Sequence, residues 1–338
     1  MREQFGVLAL GQCGGNIGTL FERKGYSVVY VNTSQEDLST INGAHKLHIP
    51  GSEGAAKDRK RVLQLASDSI VDIINKVTTI LSQQYIMVVF SAGGGTGSGL
   101  SIPILSYLSQ IGKVCMPVVV LPNDDTESAK ACENAYTTMS ELMNIQGLGA
   151  TFLLDNSKDD KFNINNKFVN DIDAFITLKN MSVYGNIDKA ERKQMLSCPG
   201  VSIIARVSKT KSNAIDILQG LHNGIYAEIE SKTAYYLGIS TSNKSLDTNS
   251  ILKEFDGVFD VFSGVSEATT TVILSGLQFP QKRILRFKDK FEKVVKNINV
   301  EHCHPQLPPL QTLSFIKPSS KPNTEINPRD ILLGLLKN

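Results

Sequence analysis

The sequence predicts an α/β protein built on a parallel sheet, and two features support this fold class. Apolar runs of strand length alternate with helical patterns through the first half of the chain. Two glycine-rich turns, at 11–18 and 93–99, each follow one of the apolar runs and open a helix. A strand, a glycine turn and a helix in this order favour phosphate binding, because backbone N–H groups and the helix dipole face the anion. A ligand is therefore expected at the carboxyl ends of the strands.

The predicted elements follow this alternation in order. In the first half the strand-like runs are 7–10, 28–31, 86–90, 114–121 and 150–154, and the helical patterns include 59–81 and 127–143. Apolar residues at helical spacing then predict a long connecting helix at 162–184. After Pro199 the alternating segments indicate a second, smaller α+β domain. The predicted divisions are 1–161, 162–184, 185–199, 200–300 and 301–338.

Two segments near the C-terminus have open interpretations. Residues 281–298 form an amphipathic pattern, and we expect a surface helix with a solvated basic side; a basic face for DNA or a neighbouring filament is the alternative. Recurrent prolines after His302 predict a flexible tail at 301–338. The tail ends in a capped apolar stripe at 327–336, which is typical of a docking peptide or of a segment that folds back onto its own domain.

Composition and charge narrow the classes of function. A hydrophobic fraction of 41% and a charged fraction of 20% are typical of a globular protein, and no run approaches the length of a membrane span. A net charge of +2 predicts no general affinity for nucleic acid. The five cysteines contain no Cys-x-x-Cys pair, and no leader-like segment precedes the first strand. We therefore expect a cytoplasmic protein without a disulfide framework.

The second glycine turn carries the most specific signal. It holds no lysine, which distinguishes it from the Gly-x-x-x-x-Gly-Lys-Ser/Thr loop of common nucleotide hydrolases. The charge of a bound phosphate must then be neutralised by the backbone and a metal ion. The turn closely resembles the signature loop of the tubulin/FtsZ GTPase family. Its predicted phosphate-binding residues are Gly93, Gly94, Gly95, Thr96, Gly97 and Ser98.

This resemblance implies a tubulin/FtsZ-like fold in which residues 1–161 bind GTP or GDP together with Mg²⁺. Gln12 and Cys13, between the glycines of the first turn, are similar to the tubulin version of the nucleotide loop. The phosphates are expected to hold the metal, with Gln12 as a candidate ligand, and Cys13 also fits a small buried filler. The resemblance places five residues of this turn near phosphate and base, namely Gly11, Gln12, Cys13, Gly14 and Asn16.

Two further loops resemble family positions with departures from the usual sequence. Asn32 lies in a loop similar to the family's Asn-Thr-Asp loop, but Ser34 stands where aspartate is usual, which weakens the expected metal and phosphate contacts. Residues 51–59 occupy the place of the γ-phosphate loop but lack the Gly-Ala-Gly-Ala-Asn-Pro sequence of FtsZ. Lys57 or Arg59 offers local positive charge there.

Sugar and base contacts are implied at three positions. Glu127 falls where FtsZ has its ribose-binding glutamate, although a helix dipole also favours an acidic residue at a helix start. Asn156 resembles the asparagine of the tubulin Ile-Asp-Asn stretch, and Asn166 matches the asparagine that pairs with the base edge, with Asn165 as its rival. An amide side chain supplies both the donor and the acceptor that guanine requires.

An acidic pair supplies the candidate catalytic residues. Asp188 and Glu191 stand three residues apart at a helix start, so they share a face and can orient a water molecule or hold a cation. On spacing alone, a solvated turn is the ordinary interpretation. Residues 185–192 resemble the family's Asn-x-Asp-x-x-Asp/Glu loop, which acts on the nucleotide of the neighbouring subunit. The resemblance implies that Glu191 positions the attacking water, that Asp188 assists, and that hydrolysis requires polymerisation.

These motifs bear on three functions from different classes. A filament-forming GTPase of the TubZ type, which moves plasmid or phage DNA through a DNA-bound adaptor held by the tail, fits the mixture of tubulin-like and non-FtsZ loops. A cell-division GTPase of the FtsZ type is the alternative, but residues 328–338 do not match its C-terminal peptide of the Asp-x-Pro-x-Phe type. A dinucleotide-binding enzyme would carry one Gly-x-Gly-x-x-Gly turn. We therefore expect a head-to-tail homopolymer with an adaptor partner and no direct sequence-specific DNA or membrane binding.

Overall fold

The computed structural model describes residues 1–51, 53–67, 69–179, 185–267 and 269–303. Contacts within the chain define one compact unit, Met1–Val295, and a second unit, Lys296–Asn338. Most of the predicted tail, with its terminal apolar stripe at 327–336, lies outside the described residues. None of the described helices combines the length and the apolar character needed to cross a membrane.

Ten strands form one sheet in the part of the chain that the structure describes. They are β1 (Phe5–Leu10), β2 (Ser27–Asn32), β3 (His45–His48), β4 (Tyr85–Ser91), β5 (Val114–Leu121), β6 (Ala150–Asp155), β7 (Gly200–Ser208), β8 (Thr233–Thr241), β9 (Gly257–Val265) and β10 (Thr269–Leu277). Their order is β3-β2-β1-β4-β5-β6-β7-β10-β8-β9. The first six are mutually parallel and follow the doubly wound order 3-2-1-4-5-6. β10 is antiparallel to both of its neighbours, so the second half of the sheet is mixed.

The α-helices of the described residues connect and cover these strands. They are α1 (Gly11–Arg23), α2 (Gln35–Ser39), α3 (Arg59–Ser67), α4 (Ile70–Ile80), α5 (Thr96–Gln110), α6 (Ala129–Leu142), α7 (Lys161–Ile176), α8 (Lys189–Ser197), α9 (Ala214–His222), α10 (Thr248–Leu252) and α11 (Gln281–Cys303). The α/β fold class is confirmed. The central strands are buried along almost their whole length because helices cover the sheet, as in other parallel sheets.

Three elements differ from the sequence-based prediction. The segment 59–81 forms two helices, α3 and α4, and the short polar strand β3 was not predicted. The connecting helix α7 ends at Ile176 instead of continuing to 184. The buried Arg192 donates to the carbonyls of Ile176 and Leu178 and so satisfies backbone acceptors at the end of the helix. Residues 180–184 lie outside the described residues. The division of the chain at 161 and 200 stays a prediction.

The strand order places both glycine turns together. β1 and β4 are neighbours in the sheet, although the chain visits β2 and β3 between them. The order of the strands therefore reverses at this point, and a crevice opens beyond their carboxyl ends. α1 begins at Gly11, directly after β1, and α5 begins at Thr96, shortly after β4. The N-termini of two helices thus converge at one edge of the sheet.

Candidate nucleotide-binding site

A cavity of about 340 Å³ lies at this carboxyl edge, within the size range of small-molecule sites. It is lined by the ends of β1, β2 and β4 and by the loops that follow β5 and β6. Four of the predicted nucleotide-contacting residues lie outside its lining, namely Gly14, Asn16, Ser98 and Asn166. Eleven line it: Gly11, Gln12, Cys13, Asn32, Gly93, Gly94, Gly95, Thr96, Gly97, Glu127 and Asn156. The contacts of all fifteen with a nucleotide remain predictions.

The glycine turn after β4 leaves its backbone donors open to the cavity. A Cβ on Gly95 would lie 2.5 Å from the Cβ of Ala55, and a Cβ on Gly97 would lie 3.0 Å from the carbonyl oxygen of Leu10. Any other residue would push these neighbouring segments apart. The first N–H groups of α5 have no partner within the helix and carry the positive end of its dipole, so the turn is suited to an anion.

The two hydroxyls of this turn have different roles. Thr96 lines the cavity, and its hydroxyl lies 2.7 Å from the hydroxyl of Thr33, in a hydrogen bond between the start of α5 and the loop after β2. The Ser98 hydroxyl is fully buried and donates to the carbonyls of Gly94 and Gly95. Ser98 therefore closes the turn on itself, and only its backbone N–H remains for the predicted phosphate contact.

The first glycine turn is shaped by packing as well as by the cavity. Gly11 lines the cavity with a φ of 69°, a left-handed conformation that favours glycine. Gly14 faces the sheet instead, where a Cβ would lie 2.5 Å from the carbonyl oxygen of Val89, and Asn16 is exposed on α1. Burial raises the pKa of Cys13 to about 12. Its thiol is therefore protonated at neutral pH, which favours the role of a small filler over that of a nucleophile.

The loop after β2 is organised by its own side chains. The Asn32 amide nitrogen donates to Asp37 Oδ2 at 3.1 Å, and its oxygen accepts the Ser34 N–H at 3.2 Å. Ser34, at the family's usual aspartate position, caps α2 by accepting the Asp37 N–H. Asp37 itself lines the cavity. A carboxylate is thus present in this loop three residues beyond the expected place, and sequence reasoning did not select it.

Asn134 of α6 is a second residue that sequence reasoning missed. Its side chain is 2% exposed, and its amide nitrogen donates to the carbonyls of Lys57 at 2.8 Å and Gly94 at 2.9 Å. One buried amide thereby ties the loop before α3 to the glycine turn. No local sequence motif predicts this role, because Asn134, Lys57 and Gly94 come into contact only through the packing of α6.

The two cations expected near the phosphates differ in their surroundings. The Arg59 guanidinium donates to the carbonyl of Ser98 at 3.1 Å and pairs with Glu141, and it does not line the cavity. Lys57 lines the cavity, with its Nζ 3.3 Å from Glu127 Oε2. Arg59 therefore supports the glycine turn from outside, whereas Lys57 brings positive charge into the site.

At the base end of the site, two asparagine oxygens are buried without a hydrogen-bond partner in the described part of the chain. One belongs to Asn156, which lines the cavity, and the other to Asn165. The Asn166 amide is exposed and donates to the Phe162 carbonyl of its own helix at 2.8 Å. An unpaired buried polar atom is costly and points to an absent ligand. The buried, unpaired oxygen makes Asn165 the better candidate for the predicted base contact, although neither Asn165 nor Asn166 lines the cavity.

Arg283 is an exception to the solvated basic side predicted for 281–298, whereas Lys282, Arg286, Lys293 and Lys296 are exposed as expected. Arg283 is 5% exposed and donates to both carboxylate oxygens of Asp155, at 2.6 and 2.9 Å, and to the Pro122 carbonyl at 2.9 Å. It also pairs with Asp124. Burial opposes ionisation of Asp124, but its contacts with Arg283 outweigh this and hold its pKa below the usual value.

This arginine therefore anchors two loops of the cavity. Asp155 directly precedes Asn156, and Pro122 lines the cavity at the start of the loop that leads to Glu127. Further along α11, Lys290 Nζ donates to the backbone carbonyl of Glu127 at 2.8 Å. The sequence did not reveal this function because an arginine on an amphipathic helix usually faces water.

The acidic pair forms a reciprocal cap at the start of α8. Asp188 Oδ1 accepts the Glu191 N–H at 2.8 Å, and Glu191 Oε2 accepts the Asp188 N–H at 2.7 Å. Each carboxylate has a second oxygen that takes no part in these two reciprocal hydrogen bonds. Behind the pair, the buried Arg192 donates to the Ile176 carbonyl at 2.8 Å and to that of Leu178 at 3.1 Å. The loop is therefore held firmly to the end of α7.

The acidic pair and the cavity lie at opposite edges of the sheet. α8 crosses the amino ends of the strands, because Lys193 Nζ lies 5.7 Å from the ring of Tyr85, the first residue of β4. A Cβ on Gly149, just before β6, would lie 2.7 Å from the carbonyl of Leu196. α7 spans the distance between the edges with 16 residues, or about 24 Å at 1.5 Å per residue.

The strand order and the two glycine turns at its reversal define a nucleotide-binding domain of the tubulin type. Residues 4–161 match the model of the Tubulin/FtsZ family, GTPase domain. The resemblance to this family that the sequence indicates is therefore confirmed over these residues.

Among its relatives, the chain is similar to the tubulin-like protein TubZ of Clostridium botulinum C phage. The two are 29% identical over 300 residues, which cover 86% of this chain and 83% of that protein. The crystal structure of Clostridium botulinum phage c-st TubZ has a TM-score of 0.80 at 26% identity, covering 88% of this chain and 100% of that chain. A GTPγS-form protofilament of Bacillus thuringiensis serovar israelensis TubZ shares the fold, with a TM-score of 0.73 at 16% identity over 90% of this chain and 94% of that chain.

Proposed function

We propose that this chain is a GTPase that polymerises head to tail and hydrolyses GTP where successive subunits meet. The observation that carries the proposal is the position of the cavity and the acidic pair at opposite edges of one sheet. Within one chain the acidic pair lies far from a nucleotide in the cavity. When the acidic edge of one subunit stacks on the carboxyl edge of the next, Asp188 and Glu191 reach that nucleotide and complete the site. The existence of a TubZ protofilament supports this stacking.

Each part of GTP has matching groups in the cavity. The N–H groups at the start of α5, from Thr96 onward, bind the phosphates, since backbone donors and the helix dipole favour an anion there. The Glu127 carboxylate accepts hydrogen bonds from the ribose hydroxyls. The oxygen of Asn156 in the cavity and that of Asn165 outside its lining lack partners in the described chain, and they accept hydrogen bonds from the guanine edge, which presents donors.

The residues present also fit Mg²⁺ bound largely through the nucleotide. No group of three His, Cys, Asp or Glu side chains suited to a metal occurs in the described ranges, whereas Mg²⁺ typically takes one or two protein ligands beside phosphates and water. Asp37 and Gln12 line the cavity and offer such oxygens. When bound, the ion neutralises charge on the phosphates.

The acidic pair is suited to activating water. Its reciprocal hydrogen bonds fix one oxygen of each carboxylate, so the second oxygen is held in place without reorganisation. The free oxygen of Glu191 accepts a proton of the attacking water and orients its lone pair toward the terminal phosphorus. Asp188 assists at the same face. Phosphoryl transfer depends mainly on such positioning and on charge stabilisation.

The proposal is tested by GTP hydrolysis measured against protein concentration, with sedimentation of filaments in parallel. Turnover per subunit should rise above a critical concentration, and Glu191→Ala should pellet as long-lived filaments that hydrolyse little GTP. Turnover that stays constant down to dilute monomer, or that is unchanged in Glu191→Ala, would show that the acidic pair is only a helix cap.

We further propose that the filaments move plasmid or phage DNA in the cytoplasm through a DNA-bound adaptor contacted by the tail. The phage origin of the TubZ relative supports this role, and the net charge of +2 argues against direct attraction to DNA. Filaments sedimented with bare duplex DNA should leave the DNA in the supernatant at physiological salt. Co-sedimentation of bare DNA of any sequence would contradict the need for an adaptor.

A further inference from the structure

Lys57 occupies a backbone position that the surrounding residues specify. It and Ala56 both have a positive φ, of 61° and 46°, a conformation that costs roughly 1 kcal/mol or more for a residue other than glycine. Asn134 holds the Lys57 carbonyl, and a Cβ on Gly95 would lie 3.1 Å from the Lys57 nitrogen and Cα. The backbone of Lys57 is therefore fixed against the N-terminus of α5, and its side chain starts beside the glycine turn.

The side chain of Lys57 is held only weakly. Its Nζ lies 3.3 Å from Glu127 Oε2 and 3.2 Å from the Ser128 hydroxyl. The side chains of Lys57 and Glu127 are 41% and 44% exposed, and ion pairs of that exposure contribute little to stability. The ammonium can therefore leave Glu127 at little cost when a stronger anion arrives.

The negative charge of a bound nucleotide requires a cation in the cavity, and Lys57 can supply it. Lys57 is the only cationic side chain among the described residues of the lining, which also includes the carboxylates of Asp37 and Glu127. The glycine turn contains no lysine, and Arg59 does not line the cavity, since its Nη2 donates to the Ser98 carbonyl and pairs with Glu141. A nucleoside triphosphate brings about four negative charges, half of them on its terminal phosphate. An ammonium with a flexible stem gains most at that phosphate.

We propose that Lys57 is a ligand of the terminal phosphate of the bound nucleoside triphosphate and that Glu127 is its partner when that phosphate is absent. The proposal rests on the proposed GTP site. Lys57 supplies from a separate loop the charge that other nucleotide hydrolases place within their phosphate loop. When the terminal phosphate leaves, the ammonium returns to Glu127, so its position distinguishes the triphosphate from the diphosphate form.

The test compares the affinities of the full-length protein for GTPγS and GDP by calorimetry, below the concentration at which filaments pellet. Lys57→Gln should bind GTPγS about 30-fold more weakly, as expected for loss of one charge-assisted hydrogen bond, and GDP within about threefold of the wild type. Lys57→Arg keeps the charge and should retain most of the preference for GTPγS. Lys60→Gln, an equal change of charge on the exposed face of α3, is the matched control.

The outcomes separate this proposal from the proposed function. Equal loss of both nucleotides in Lys57→Gln would overturn it, because the lysine would then serve the loop as a whole. Unchanged affinity for both would overturn it as well. If the wild type binds neither nucleotide, the GTP site itself is refuted, whatever the variants do. Thermal melting of each variant, followed by circular dichroism, identifies a change that merely unfolds the loop.

Discussion

Replacing Glu191 by glutamine separates the structural role of the acidic pair from its proposed role in hydrolysis. Glutamine keeps an oxygen that can accept the Asp188 N–H, and Glu and Gln serve equally in a capping box. The free energy of unfolding should therefore stay within about 0.5 kcal/mol of the wild-type value. The carboxylate is lost, however, and GTP turnover in filaments should fall about 100-fold or more, as is typical when a general base is removed.

Asp188→Ala removes the assisting carboxylate and also lowers stability, and it completes the comparison. It removes the cap itself and should lower the free energy of unfolding by about 1 kcal/mol. Turnover at a concentration at which filaments pellet, and urea unfolding of the same samples, are the two assays. Glu254→Gln on an exposed loop is the control for loss of one carboxylate. Wild-type turnover in Glu191→Gln, or a loss of activity that follows stability across the variants, would refute the reasoning.

Further substitutions test the residues that hold the loops of the cavity and those predicted to contact the base. Arg283→Met leaves the buried carboxylate of Asp155 without the cation that pairs with it and leaves Asp124 paired with Arg286, so the free energy of unfolding should fall by about 3–5 kcal/mol in urea titrations at pH 7. The gap to the wild type should narrow below about pH 4, because the lowered pKa of Asp124 adds stability above the ordinary carboxyl value that is lost as the carboxylate is protonated. Asn134→Ala leaves two carbonyls unpaired and should weaken GTP binding about tenfold in calorimetry with little change in filament length. Asn165→Ala should reduce the preference for GTP over ATP in competition binding, whereas Asn166→Ala should not; equal effects would contradict the assignment of the base contact.

The sequence was most informative where local pattern and burial agree. The strand β5 was predicted with the observed bounds, Val114–Leu121, since its apolar run is buried on both faces of the sheet. The two glycine turns were predicted at the ends of β1 and β4 because only glycine suits such close backbone contacts. The strand order then brings the turns together at one edge, which no single segment could indicate.

The remaining features depend on contacts between distant parts of the chain. The sequence pattern predicts that Arg283 is a surface residue of an amphipathic helix. It is buried because α11 packs against the loops after β5 and β6. Asn134 likewise acquires its role from two loops far away in sequence. The end of α7 at Ile176 depends on Arg192, whose partners lie across the acidic loop. Periodicity and local motifs do not contain such information.

The most direct test of catalysis between subunits is to mix two variants that are each inactive. Glu191→Gln has an intact cavity and a defective acidic pair, whereas Gly95→Val, whose side chain would crowd Ala55, has a blocked cavity and an intact pair. GTP hydrolysis is measured in mixtures in which both variants sediment together. We predict that activity returns in the mixture and is greatest near equal amounts. A mixture that co-sediments but remains as inactive as its two components would contradict a site shared between neighbours.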